Sequence, residues 1–435
     1  MISLKKTPPS RRTVIAHLGV AAVIASMVGA CAPPSSTAGG AANASGTITI
    51  AWESGSKAAM ENAIAAFQKA NPGSTVNADY LTPDQLTTTL TTQLATGAGP
   101  DLFRSDNGSG TAKAVQTLAK RGLLEPLTGS WTSQMPEDIS KNLKVDGKTY
   151  GFTPTLTSIG QLLNVDQLKK YGLTAPTTFS GVLDFCRQAR AKGTVAYTSG
   201  AASSFDARSV LYALSWQTVY SKTPNFADDV TAGKLKWQDS GWKQAVDNNL
   251  AMVQAGCFPD NFTGTDISGA FKQLFSGATL GMIGYGAFMQ YAPAGANFAM
   301  QPLPATDNPD ESGMIVTPFS AVALNKNSKN KDLAQKFVDF LATPEENAKF
   351  VKDASPAGGL LSPFYKELPK PETQIDQQMI TYLENGKSNQ FPDANFPGPT
   401  VSTALEQQMQ QALTGKATTD QVLQQVQSTW QQATK

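Results

Sequence analysis

Between residues 47 and 96 the chain alternates strand and helix patterns, and this alternation constrains its fold more than any other feature. Within Thr47–Trp52, the apolar Ile48, Ile50 and Trp52 alternate with Thr47, Thr49 and Ala51, the period of two expected of a strand. Ala58–Asn71 carries Met60, Ile64 and Phe67 as a helical stripe and stops at Asn71-Pro72-Gly73. Thr75–Tyr80 repeats the strand pattern and Pro83–Thr96 the helical one. The series predicts a right-handed βαβ start to an open parallel sheet. Ligands of such sheets bind beyond the carboxyl ends of the strands, which here means Trp52, Glu53 and Ser54, and then the segment after Leu102-Phe103. A length of 435 residues argues for two domains of this kind.

Charge and histidine content narrow the chemistry. The formal net charge is +1, and the first 31 residues hold Lys5, Lys6, Arg11 and Arg12 without an acid, which leaves 31 basic against 34 acidic residues beyond them. No basic surplus exists to neutralise nucleic-acid phosphates. The single histidine, His17, lies in that same N-terminal stretch. The rest of the chain therefore has no Ser-His-Asp triad, no HExxH zinc site and no histidine general base. No GxxxxGK[ST], GxSxG or CxxC pattern occurs, and Gly281-Met-Ile-Gly284-Tyr-Gly286 has the wrong spacing for a dinucleotide loop.

The N-terminus reads as an export leader. Basic Met1–Arg12 precedes the mostly apolar Thr13–Ala30, and Val28-Gly29-Ala30-Cys31 leads into a polar linker up to residue 45. The tetrapeptide resembles the lipobox of bacterial lipoproteins, which implies cleavage before Cys31 and lipidation of its thiol. Ser10-Arg11-Arg12 is similar to a twin-arginine export signal, and a retained N-terminal anchor is the alternative. Either route places the bulk of the chain outside the cytoplasm, anchored at the membrane. There the remaining two cysteines, Cys186 and Cys257, are expected to be bridged, the alternative being two inert buried thiols. Farther along, Asp146-Gly147 marks a hairpin within Lys144–Phe152. Phe319–Leu324 reads as a strand, and Lys331–Leu341, Val401–Thr414 and Thr419–Lys435 as helices.

An ordered series of local patterns runs through this framework: Gly99-Pro-Asp-Leu-Phe103, Ala119-Lys-Arg-Gly-Leu-Leu-Glu-Pro-Leu127, Asp146-Gly-Lys-Thr-Tyr-Gly-Phe152 and Leu163-Asn-Val-Asp-Gln-Leu-Lys-Lys-Tyr-Gly-Leu173. Phe275-Ser-Gly-Ala-Thr-Leu-Gly-Met-Ile-Gly284, Pro302-Leu-Pro304 and Ser328-Lys-Asn-Lys-Asp-Leu-Ala-Gln-Lys-Phe337 follow. From about Thr47 to the C-terminus, the series resembles the solute-binding proteins of carbohydrate ABC importers, the family of maltose-binding protein. It departs from that family at Thr157, where an acid is frequent, and after the Met-Ile strand, where Tyr285 and Phe288 stand in place of a tryptophan.

The resemblance implies a two-lobed periplasmic-binding-protein-like α/β fold, with an open sheet flanked by helices in each lobe and a hinged cleft between them. Crossings are expected near Thr153–Ile159, Asp310–Val316 and Ser355–Leu361. Lobe one then comprises about 46–154 plus 316–355, and lobe two 155–315 plus 356–435, after a leader at 1–30 and a linker at 31–45. It further implies a monomer, without cofactor or metal, that takes a carbohydrate and passes it to a permease.

Aromatic rings suit the apolar faces of a sugar and short polar side chains suit its hydroxyl rim. The candidates for these roles are Trp52, Glu53, Ser54, Asp106, Asn107, Thr157, Phe205, Asp206, Arg208, Tyr285, Phe288 and Phe396. Trp52 could equally be a core residue, Asp206 a helix cap, and Arg208 its ion-pair partner. Other readings are a secreted glycosidase with paired carboxylates, the same fold with a glycerol phosphate or polyamine, and a sensor subunit.

Overall fold

The computed structural model describes residues 45–203 and 206–435. The leader, most of the linker, Cys31 and Phe205 lie outside the described residues. Strands β1 (Gly46–Glu53), β2 (Ser74–Leu81) and β3 (Leu102–Ser105) form a parallel unit with β1 in the middle. The helices Lys57–Ala70 and Pro83–Ala95 connect them, as the alternation predicts. Thr82 and Gln85 start the second helix with a reciprocal capping box, which satisfies two backbone donors that a helix start leaves open. Ile48 and Ile50 point into a core where Phe67 meets Phe337 and Phe340 edge-on at 5.1 and 5.5 Å.

Short β4 (Leu124–Glu125) and the hairpin of β5 (Lys144–Val145) and β6 (Lys148–Thr149) come next. At the hairpin tip Asp146 and Gly147 both have positive φ, 49° and 73°, as the favoured two-residue turn requires. The sheet is then crossed by a long strand, β7 (Phe152–Asn164), buried along nearly its whole length. Beyond it lie β8 (Val195–Thr198), β9 (Thr279–Tyr285), β10 (Phe298–Gln301), the long β11 (Met314–Asn325) and β12 (Ser388–Asn389).

The strand order β2-β1-β3-β11-β7-β9-β8 makes β7 and β11 the link between two groups of strands. Along one edge β7 pairs with β11 through Phe152–Ile159 and then with β10 through Gln161–Asn164; β9 takes its other edge. The strand expected at Phe319–Leu324 is the second half of β11, which pairs antiparallel with β3. The sheet is therefore mixed, parallel only between strands that helices separate along the chain.

On the far side the core is aromatic. Trp237 stacks on Trp242 at 5.0 Å, and Phe226 stands edge-on to Trp237 at 5.1 Å. Trp430, on the helix Thr419–Ala433, closes this group. The helix that Asp206 could cap is broken into a 3-10 turn (Asp206–Arg208), an α-helix (Ser209–Ser215) and a π-helical turn (Trp216–Tyr220). Among the described residues, no helix is long and apolar enough to cross a membrane.

Cys186 and Cys257 form the expected disulfide, with Cα atoms 4.7 Å apart. It ties the helix Phe179–Ala191 to the chain just after Trp242–Gln254. The Arg190 side chain reinforces the same junction by donating to the carbonyls of Gly256 and Phe258. The two cysteines are 71 residues apart, so loop-closure entropy assigns the bond about 4 kcal/mol. Replacing both by serine is expected to lower the unfolding free energy by an amount of that order in urea titrations, with the far-UV spectrum unchanged.

Candidate ligand-binding site

The first strand delivers Trp52 and Glu53 to the carboxyl end of the sheet. Trp52 is only 2% exposed. Its indole N–H donates to Ser56 Oγ at 2.9 Å, and its ring meets Phe350 edge-on at 6.3 Å. It is thus a core residue, yet it also lines a cavity of about 10 Å³ with Glu53, Arg104, Gln290, Phe319 and Leu360. Ser54 opens the exposed turn Ser54–Ser56 beside that cavity.

A four-charge network lies at its wall. The Arg104 guanidinium contacts Glu53 at 3.1 Å and Asp106 at 2.7 Å, and Lys113 reaches Asp106 at 2.5 Å. Arg104 also donates to the carbonyl of Phe319 and lies over that ring, 5.4 Å from its centre. Burial by itself would raise the Asp106 carboxyl; Lys113 and Arg104, with a hydrogen bond from Thr111, reverse this and hold it well below the usual carboxylate range. With two cations and two anions the network is neutral, the condition under which buried charges persist.

A second polar group gathers around Arg208, which pairs with Asp393 at 3.2 Å and with Glu406, and lies over the Tyr212 ring. Arg208 therefore takes acids from the C-terminal segment instead of Asp206. Asp206, 1% exposed, accepts from the backbone N–H of Gly200 at 2.6 Å and from Ser199; it braces the loop before it and caps no helix. Asn107 and Asn142 both donate to Gln390 Oε1, at 3.0 and 2.8 Å.

Thr157, fully buried, donates to the carbonyl of Gly359 and accepts from the N–H of Ala287, so its hydroxyl is committed to the crossing. Tyr285 and Phe288 are buried neighbours, with ring centres 5.1 Å apart. Phe396 lies away from any opening: it is 1% exposed and packs against Trp237 and Trp430 at 5.7 and 5.3 Å. Its loop carries proline and glycine because it turns back into the core.

The structure thus brings Trp52 and Glu53 to one cavity wall, with Ser54 at its edge and Asp106 behind it through Arg104, and Asp206, Arg208, Tyr285 and Phe288 to a second region. Arg104, Gln290 and Phe319 join the first wall, and Lys113 and Tyr291 lie next to it, although no motif marks them. Arg104 was within reach of the pattern, because positions i and i+2 of a strand share a face and Arg104 stands two before Asp106. Lys113 comes from a turn and Tyr291 from the end of the short 3-10 helix Gly286–Tyr291, where too little periodicity exists to read.

Comparison with known proteins gives this geometry its class. The chain belongs to the family of bacterial extracellular solute-binding proteins, which it matches over residues 51–348. That is a family of binding proteins and not of enzymes. A binding protein of Brucella abortus (strain 2308) is 26% identical over 380 residues, 82% of this chain and 85% of that one. Among solved structures, one from work on xylan utilization by the thermophilic Caldanaerobius polysaccharolyticus superposes with a TM-score of 0.75. It is 18% identical and covers 88% of this chain and 99% of its own. The GacH receptor of Streptomyces glaucescens, solved unliganded and with acarbose, gives 0.71 at 17% identity, covering 89% and 98%. These likenesses establish the two-lobed periplasmic-binding-protein fold.

Burial pushes the Asp206 carboxyl up to about 6, against the bonds from Gly200, Ser209 and Ser199. The folded protein then keeps a proton that the unfolded chain, near 3.8, has released. This contribution to stability is complete below about pH 4 and disappears as the pH rises through about 6. Asp376, also buried and raised to about 6, acts in the same direction. Asp206→Asn is expected to remove part of the stability lost over that interval, as read from urea unfolding at a series of pH values; an unchanged slope would exclude the assignment.

Proposed function

We propose that this protein is the sugar-capturing receptor of an ABC importer, held at the outer face of the cell membrane by a lipid on Cys31. Two lobes, of about 46–154 plus 316–355 and 155–315 plus 356–435, close on the sugar by bending at β7, β11 and the segment Ser355–Leu361. The closed, loaded form then docks on a permease. The observation that carries this reading is the wall of Trp52, Glu53, Arg104 and Phe319, which faces Gln290 and Leu360 across the cavity. The first group comes from β1, β3 and the middle of β11, and the second from the helical turn after β9 and the segment Ser355–Leu361. An apolar ring face beside charged groups with spare lone pairs and N–H bonds suits a pyranose, which presents the complementary pattern. Support also comes from the solved relatives, which include a chitin oligosaccharide binding protein and a receptor complexed with raffinose.

Closure follows from binding because ligand bonds to both lobes exist only in the closed state, and the shift is limited to the difference in affinity between states. Glu53 is the residue to test. Trp52 and Tyr285 are so buried that replacing them would disturb the fold as well as the site.

The test is a thermal-shift and calorimetric screen of the purified protein against neutral mono- and oligosaccharides, amines and phosphate esters. A stabilising neutral sugar, recovered unchanged, is the expected result, and Glu53→Gln is expected to weaken its binding at least tenfold. A shift only from an amine or a phosphate ester would replace the ligand class, and no shift at all would remove the carbohydrate reading. For the anchor, Cys31→Ser is expected to move the protein from the membrane fraction to the soluble one; retention at the membrane would refute lipidation.

A further inference from the structure

A second cavity, of about 60 Å³, lies at the crossing and shares no lining residue with the one beside Trp52. Leu156 of β7 borders it, whereas Thr155 borders the cavity of Trp52. Consecutive residues of a strand point to opposite faces, so the two cavities lie on opposite sides of β7. Ile139, Leu156 and Val316, all buried, give the second one an apolar floor. Its volume is room for about four to six waters.

One buried donor on its wall is unpaired. Gln390 is 6% exposed, and its Oε1 accepts from Asn107 at 3.0 Å and from Asn142 at 2.8 Å. Its Nε2 is also buried and has no partner among the described residues. Turning this amide over by itself would set its N–H groups against the two asparagine donors. A buried donor without an acceptor is costly, and the cavity is where an acceptor can stand. On the outer side are Asp138 and Lys141, both exposed. The neighbouring Glu137 is taken by Lys144 at 2.7 Å, and neither Asp138 nor Lys141 is in an ion pair among the described residues.

We infer that this cavity is a second binding site, for a small zwitterion of the size of glycine. The ligand carboxylate accepts from Gln390 Nε2 and pairs with Lys141, and the ammonium group pairs with Asp138. The carbon between them rests on the apolar floor. The non-hydrogen atoms of glycine match the volume, and a long side chain has no space. Each part of such a ligand answers a group that the protein leaves open. A carboxylate alone would meet the like charge of Asp138, and an amine alone would leave Gln390 without its acceptor.

The test is calorimetric titration of the purified protein with glycine, acetate and methylammonium, repeated on Asp138→Asn and Lys141→Gln. Both substitutions replace exposed side chains, so the variants are expected to keep the melting temperature of the parent. Glycine is expected to bind more tightly than acetate or methylammonium. Asp138→Asn should weaken glycine by about tenfold and strengthen acetate, while Lys141→Gln should weaken both by about tenfold. In protein isotope-labelled on its glutamine side chains, glycine should also shift the Gln390 amide signal, identified by its loss in Gln390→Met. Absence of both heat and shift with glycine would overturn the site and leave a cavity that holds water. Acetate binding as tight as glycine would overturn the zwitterion. Glycine binding that is unchanged in both charge variants would place it elsewhere and overturn the assignment. None of these outcomes depends on a sugar at the cavity of Trp52, so this site and the carbohydrate reading can fail separately.

Discussion

Everything in this molecule hangs on the pairing of β7 with β11. These are the strands that belong to both halves of the sheet: β11 continues to β3 on one side, and β7 continues to β9 and β10 on the other. At the centre of the pairing Thr157 stands opposite Thr317, and both are buried. Thr157 binds the carbonyl of Gly359 and the N–H of Ala287, while Thr317 accepts from the N–H of Phe391. Each threonine combines a β-branched shape that suits a strand with a hydroxyl that satisfies backbone groups from segments that cross or border the junction. A valine would keep the shape and leave those backbone groups unmatched, and an aspartate would bring a charge into a fully buried position.

The third segment at the crossing solves a different problem. Gly358 and Gly359 have φ of +85° and +91°, and a Cβ at Gly359 would lie 2.0 Å from the carbonyl oxygen of Gly286. Only glycine allows the chain to pass so close to another backbone in this conformation. Asp376 then holds the passage by accepting from the N–H of Gly359, and its own orientation is set by Thr373. Leu156 and Leu361 complete the arrangement with a pair of backbone bonds. The three segments are joined by backbone hydrogen bonds, while the contacts at Gly55 and Ser109 depend on single side chains or short loops.

Much of this was legible in the sequence because it is periodic. The Ile48/Ile50/Trp52 alternation gives β1 to within a residue at each end, the Leu333/Phe337/Leu341 stripe gives its helix, and Asp146-Gly147 gives the hairpin. Features that depend on contact between distant segments were not legible. Alternation shows that Trp52 shares a face with Ile50 but cannot show that the same ring borders a cavity. Phe396 sits in a loop rich in proline and glycine, and such loops normally run over the surface; this one is drawn inward by Trp237 and Trp430. For Arg208 the local candidate, Asp206, competed with two acids nearly two hundred positions away, and no local pattern can rank them.

The two polar groups differ in a way that bears on how the halves meet. The Glu53–Arg104–Asp106–Lys113 group is balanced, whereas Arg208 faces two carboxylates, Asp393 and Glu406, both of them raised by burial against the pull of Arg208. Asp106 adds to the upward push on Asp393, so the groups sense each other across the loop contact between Ser109 and Ala394. Bringing the loops together therefore works against like charge at that point. Lys113 and Thr111 offset part of this by bonding one oxygen each of the Asp106 carboxylate. At Gly108 and Gly110 an added Cβ would lie 2.2 and 2.3 Å from the carbonyl oxygens of Ala394 and Asp393, so the glycines let the loops approach closely enough for Ser109 between them to donate to the carbonyls of Ala394 and Phe396 without burying more charge.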